Sequence, residues 1–190
     1  MPAHPLAVDL IERLRDRPHA RVLDLGSGHG RNTVALTEAG LTVTPVDDLR
    51  AASAQAIGAV GDRFDAVLAT HALLHGTPQS VAERIDAIAR VLVPGGLFYA
   101  TFASTHDARY GRGAHVAENT FAAVGGDESG VAHVYYDEHR LRAVLTPYFE
   151  IDTLEERRVD HIAGRWAHPT TPLHDAVHWL VRGRKRHPAV

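Results

Sequence analysis

The stretch Val22–Asn32, VLDLGSGHGRN, limits what this chain can become more than any other. An apolar run holding one acid leads into glycines at alternate positions, Gly26, Gly28 and Gly30, and then into the helical pattern Thr33–Ala39. That order predicts a strand, a tight turn and a helix N-terminus. Glycine lacks Cβ, so the backbone can turn sharply there and a ligand can lie against main-chain N–H groups at the positive end of a helix. A nucleotide-like ligand suits such a cradle. The dinucleotide fingerprint G-x-G-x-x-G does not fit, because the third glycine comes one residue early and Arg31 stands where the fingerprint needs a small residue. Pyrophosphate binding is disfavoured, and an NAD-linked oxidoreductase with it.

The pattern hydrophobic-Leu-Asp-Leu-Gly-Ser-Gly-x-Gly resembles the first motif of class I S-adenosylmethionine-dependent methyltransferases. GHGRNTVALTEAG further resembles the tellurite-resistance type and its small-molecule relatives, where Arg-Asn follows the glycine loop. A second, independent match is Pro94-Gly95-Gly96 followed by an apolar strand. The resemblance implies an α/β fold: a Rossmann-like open, mostly parallel sheet with an antiparallel C-terminal hairpin. It implies S-adenosylmethionine as cofactor and S-adenosylhomocysteine as product. Asp24, Gly26, Ser27, Gly28 and Gly30 would hold the methionine end, and Asp47 the ribose; Asn32, Asp48, Asp62 and Thr70 complete the cofactor-binding candidates.

The 190 residues suit one domain spanning 1–190 with a core of ordinary size. A net charge of −3 offers nucleic acid no basic field, and no apolar run is long enough to span a bilayer. Leu6–Leu14 is broken by Asp9, Glu12 and Arg13 and lacks a small-residue cleavage site, so it reads as a helix within residues 1–20 rather than a signal peptide. A cytoplasmic location is expected. Without cysteine, disulfides and thiolate metal sites are excluded.

Fourteen histidines are many. His71 with His75, and His174 with His178, have the i, i+4 spacing that puts two rings on one helix face. Neither pair carries the H-E-x-x-H glutamate, and His178 lies in a strand-like segment, so no metal site is expected.

Arg21–Leu25 and Leu41–Val46 read as the first two strands, the second delivering Asp47 and Asp48 at its carboxyl end, where ligands of open α/β sheets sit. Asp48 also suits the cap of a helix over Leu49–Ile57. The fifteen residues between Asp48 and Phe64 hold that helix and a turn, which is too little for a crossover and a further parallel strand. The third strand of the family, whose end binds the adenine amino group, is therefore expected to be missing or vestigial. Asp62 could replace that acid or be a plain turn residue. The second strand then lies at the sheet edge, where pairing between copies would give a homodimer.

Phe64–Thr70 reads as a central strand buried on both faces, equivalent to the fourth strand of the family, and would bring Thr70 and His71 beside the reactive methyl. Pro78–Leu92 reads as a helix and Leu97–Phe102 as the next strand. Residues 103–132 are polar and glycine-rich and read as a lid-like loop over a small-molecule acceptor. Asp137 caps a helix over Glu138–Leu145, which His133 and Tyr136 are expected to open. Phe149–Leu154 and Ala176–Gly183 alternate as the final hairpin, joined by the histidine-rich loop 160–175.

Methyl transfer needs alignment and, for phenol or carbon acceptors, a base, whereas thiolate or chalcogen anions need none. His133, His71 and Tyr110 are the catalytic candidates. The rival reading is a non-catalytic or repurposed binding or regulatory domain on the same fold, which the short segment 49–63 favours.

Overall fold

The computed structural model describes residues 2–47, 54–59, 61, 63–125, 128–159 and 175–187. Its elements run α1 (Pro5–Arg13), β1 (Arg21–Leu25), α2 (Arg31–Glu38), β2 (Thr42–Val46), α3 (Ala54–Ala59), β3 (Phe64–Ala69), α4 (Pro78–Val91), β4 (Leu92–Ser104), β5 (Ala114–Ala117), β6 (Thr120–Ala122), β7 (Ala132–Tyr136), α5 (Glu138–Leu145), β8 (Phe149–Arg158) and β9 (Val177–Lys185).

The main sheet runs β2-β1-β3-β4, all parallel, and continues through the antiparallel strands β9 and β8. Side chains on a strand point alternately to opposite faces, and the apolar runs of the central strands use both. Val22, Ala66, Leu68, Leu97, Tyr99 and Leu180 pack under α1 and α2. Their neighbours Leu23, Val67, Phe98, Phe102, Trp179 and Val181 pack under α4 and α5. The result is the three-layer α/β/α arrangement that continuous apolar strands require. α1 joins it because Leu6, Leu10 and Leu14 lie on one face, and all three are buried.

Among the described residues no strand stands between β2 and β3, so β2 pairs with β1 alone, as the short segment predicts. Its side chains are half-buried or exposed, and Pro45 is tolerated there because an edge strand can do without one N–H. Of the helix expected over Leu49–Ile57, residues 54–57 are helical in α3 and the earlier ones lie outside the described residues.

Three expectations need correcting. Segment 103–132 is not irregular throughout: β5 and β6 form a hairpin, and β6 pairs antiparallel with β7. β7 in turn pairs parallel with the last two residues of β4, past the point where β3 stops. His133 and Tyr136 therefore lie on a strand and do not open a helix; Asp137 alone caps α5, accepting from the Arg140 N–H. The His71–His75 segment is a loop, with His71 at φ 57°, so the two rings share no helix face. Period-based reading missed these because short strands in a glycine-rich stretch carry too few apolar residues to show alternation.

β9 lies between β4 and β8, and a Cβ on Gly183 would stand 2.6 Å from the Glu150 carbonyl oxygen. Gly183→Ala is expected to destabilise the fold by about 1–3 kcal/mol through this overpacking, read by chemical denaturation.

Candidate functional site

At the carboxyl end of β1 the chain enters the glycine turn. Gly26, Gly28 and Gly30 have φ of 78°, 49° and 76°, left-handed values that side chains resist. A Cβ on Gly28 or Gly30 would meet nothing within 4 Å, so what glycine supplies there is conformation and open space rather than relief of crowding. The turn is tied to the next strand: the Gly26 and Ser27 amides donate to the Val46 carbonyl, at 2.7 and 3.3 Å. This places Asp47, which is exposed, directly beside the turn. Gly30 also begins α2 without a capping side chain, so the positive end of that helix faces the same space.

Asp24 lies beneath the turn with no solvent exposure. Its Oδ2 accepts from the Thr33 hydroxyl at 2.6 Å. Its Oδ1 is buried with no hydrogen-bond partner among the described residues. Burial pushes the carboxyl above its ordinary value, while Thr33 and the Arg31 guanidinium oppose the rise. A buried acid with an unsatisfied oxygen under an open glycine cradle is suited to a polar, cation-bearing ligand.

Asn32 and Thr70 are both buried, and Asn32 Nδ2 donates to Thr70 Oγ1 at 3.0 Å. Asn32 Oδ1 accepts from the His4 amide, so Asn32 ties the start of α1 to the first turn of α2 and to Thr70 just after β3. Asp48 and Asp62 lie outside the described residues. The other six cofactor-binding candidates, Asp24, Gly26, Ser27, Gly28, Gly30 and Asp47, gather at the carboxyl edge of the sheet.

Three histidines stack behind them. His71 donates its amide to Thr101 Oγ1 at 2.8 Å, and its ring centroid lies 5.9 Å from that of His4 and 4.9 Å from that of His178. Burial holds His4 and His178 down to about 3 and His71 well below its usual value, with positive neighbours adding to the effect. These rings are neutral in the folded protein. Beside them Asp107 is buried, yet its carboxyl stays below the ordinary range: burial opposes the charge, but Arg109 and the Arg109 and Val177 amides outweigh it.

The remaining candidates form a second group under the β5–β6 hairpin. Arg109, Arg112, Phe121, Glu128, His133 and Tyr135 are among the residues lining a cavity of about 240 Å³. Tyr110 packs edge-on against Phe121 and Tyr135 and donates its hydroxyl to Asn119 Oδ1 at 2.7 Å. His133 thus lines the cavity, Tyr110 packs on two of its lining residues, Phe121 and Tyr135, and His71 lies apart beside His4 and His178. His75 joins His133, their ring centroids 4.8 Å apart. Sequence reasoning missed His4, Asp107 and Glu128; each is unremarkable in its local context and acquires partners from remote segments.

An open parallel sheet with a left-handed glycine turn after its first strand and an acid after its second defines a nucleoside-binding α/β domain. The chain matches the methyltransferase-domain family model over residues 3–157, and it belongs to that family. An uncharacterised methyltransferase of Mycobacterium tuberculosis is 36% identical over 126 residues, covering 58% of this chain and 49% of its own length, so the chain spans about half of that relative. Among solved structures, a SAM-dependent methyltransferase from Methanosarcina mazei superposes with a TM-score of 0.70 at 19% identity, covering 99% of this chain and 100% of the other. A Burkholderia thailandensis 1,6-didemethyltoxoflavin-N1-methyltransferase, solved with that compound and S-adenosylhomocysteine, gives 0.61 at 19% identity, covering 96% and 77%. Among the described residues no helix is long and apolar enough to cross a membrane.

Unfolded, each imidazole of the stack titrates near 6.5; folded, it stays neutral to far lower pH. Below 6.5 the unfolded chain therefore binds more protons, and stability falls as pH drops from there toward about 3. The melting temperature is expected to be lower at pH 5 than at pH 7. His178→Gln should lessen that loss by up to about 2 kcal/mol, with carboxylate effects cancelling in the comparison with wild type.

Proposed function

We propose that this protein transfers a methyl group from S-adenosylmethionine to a small-molecule acceptor and releases S-adenosylhomocysteine. The observation that carries the reading is the glycine turn: three left-handed residues, with open space at Gly28 and Gly30, over a buried Asp24 whose Oδ1 lacks a partner among the described residues. Asp24, Gly26, Ser27, Gly28 and Gly30 would hold the methionine end, and Asp47, fixed next to the turn by the Val46 carbonyl, would accept from the ribose hydroxyls. When bound, the cofactor supplies a methyl group on an already activated sulfonium, so the chain's own task is alignment.

The buried His4, Asn32 and Thr70, joined by hydrogen bonds, with the half-buried His71 beside them, would form the floor next to the reacting edge. The acceptor would enter from the cavity under the hairpin, with His133 in its lining and Tyr110 supporting the lining residue Phe121 from behind. Segment 103–132 acts as its cover, braced by β6–β7 pairing rather than left loose. Arg112 favours an acceptor with anionic character, the charge of Arg109 being matched by Asp107, and this agrees with the tellurite-resistance-type residues that follow Gly30. The setting is cytoplasmic, and the open edge of β2 offers the route to a homodimer.

That no strand follows β2 before β3 among the described residues favours a second reading, a binding or regulatory domain that has lost adenine contacts. Isothermal titration with S-adenosylhomocysteine separates the two. The first predicts micromolar binding, weakened at least about tenfold by Asp47→Ala with an unchanged melting temperature, since Asp47 is exposed. Folded protein that takes up no ligand at millimolar concentration would remove the enzymatic reading.

A further inference from the structure

We infer that His75, Glu128 and His133 form a binding site for a first-row divalent cation, with open coordination positions turned toward the cavity under the hairpin. One ligand atom from each residue lies within 4.8 Å of the others. His133 Nε2 is 3.2 Å from Glu128 Oε2, and His75 Nε2 is 3.3 Å from Oε1 of the same carboxylate. Ligands about 2.0 Å from a tetrahedral ion stand about 3.3 Å apart, so these two spacings already suit a shared ion.

The polarity of His133 points the same way. Its Nδ1–H donates to the Val131 carbonyl at 3.0 Å, which in a neutral ring leaves the Nε2 lone pair aimed at a carboxylate. That nitrogen is buried, on a side chain 5% exposed, and has no hydrogen-bond partner among the described residues. In that neutral form the two lone pairs face each other and repel, and a cation between them turns the repulsion into coordination. A backbone carbonyl holding the far nitrogen of a ligating histidine is also the usual way its tautomer is fixed.

Backbone pairing supplies the rigidity such a site needs. His75 and His133 form an antiparallel bridge, flanked by Gly76 N–H to Ala132 carbonyl and Val134 N–H to Leu74 carbonyl bonds, both at 2.8 Å. Two imidazoles and one carboxylate select zinc, iron, cobalt, nickel or manganese over the hard, oxygen-seeking magnesium and calcium. Glu128 and His133 both line the 240 Å³ cavity, so a bound ion would present its remaining positions to an oxygen-bearing acceptor. That last step rests on the methyltransferase reading; cation binding itself does not.

The test uses untagged full-length protein stripped with a chelator, titrated with Zn²⁺ by calorimetry and with Co²⁺ by visible absorption. One equivalent is expected at micromolar affinity or better, with Co²⁺ bands of a low-coordinate site. His133→Gln and Glu128→Gln should each weaken binding at least about tenfold, and His139→Gln, at an exposed position, should not. If His133→Gln fails to fold, the half-buried His75→Asn serves the same comparison. Absence of stoichiometric binding, which a plain His133–Glu128 ion pair would give, or equal affinity in all variants, the mark of adventitious surface histidines, overturns the inference. S-Adenosylhomocysteine binding is measured separately, so failure of one reading leaves the other standing.

Discussion

The hydrogen bonds from the Gly26 and Ser27 amides to the Val46 carbonyl hold this architecture's working edge together. They couple the turn after β1 to the end of β2, which has no other strand to brace it among the described residues. Had the turn carried side chains, its three left-handed residues would have been strained and the space above them filled. Glycine makes the turn feasible; the bonds to Val46 set where it sits, and Asp47 follows from that placement.

β4 organises the other half. Along most of its length it pairs with β3 and β9, but its last two residues run past β3, and β7 takes that place. The loop after β3 folds against β7, so the hairpin sheet grows from the carboxyl edge where ligands of this fold belong. A segment that reads as a loose cover is thereby fixed to the central sheet, and a cavity remains beneath it.

Burying polar groups here has a thermodynamic cost that the fold meets in different ways. His4, His71 and His178 stay neutral, which avoids the desolvation of a charge. Asp107 keeps its charge because Arg109 and two backbone amides pair with it. Asp24 is left with one buried oxygen unsatisfied among the described residues, a condition that native interiors rarely tolerate away from a functional site.

The sequence by itself determined the class of fold. Continuous apolar runs in Val22–Leu25, Phe64–Ala69 and Leu97–Phe102 fix buried strands, and the glycine spacing fixes the turn, because both depend on conformational preferences of contiguous residues. The length of segment 49–63 also carried the expectation that it holds no further strand, since fifteen residues are few for a helix, a crossover and a strand. Tertiary structure alone decided the meeting of His75 with Glu128, 53 positions apart, and of His4 with His71 and His178. Side-chain convergence depends on which strand pairs with which, and β7's attachment to the end of β4 involves two residue pairs with no periodic signature. Local pattern states what each segment is, and the pairing of remote segments states what its side chains face.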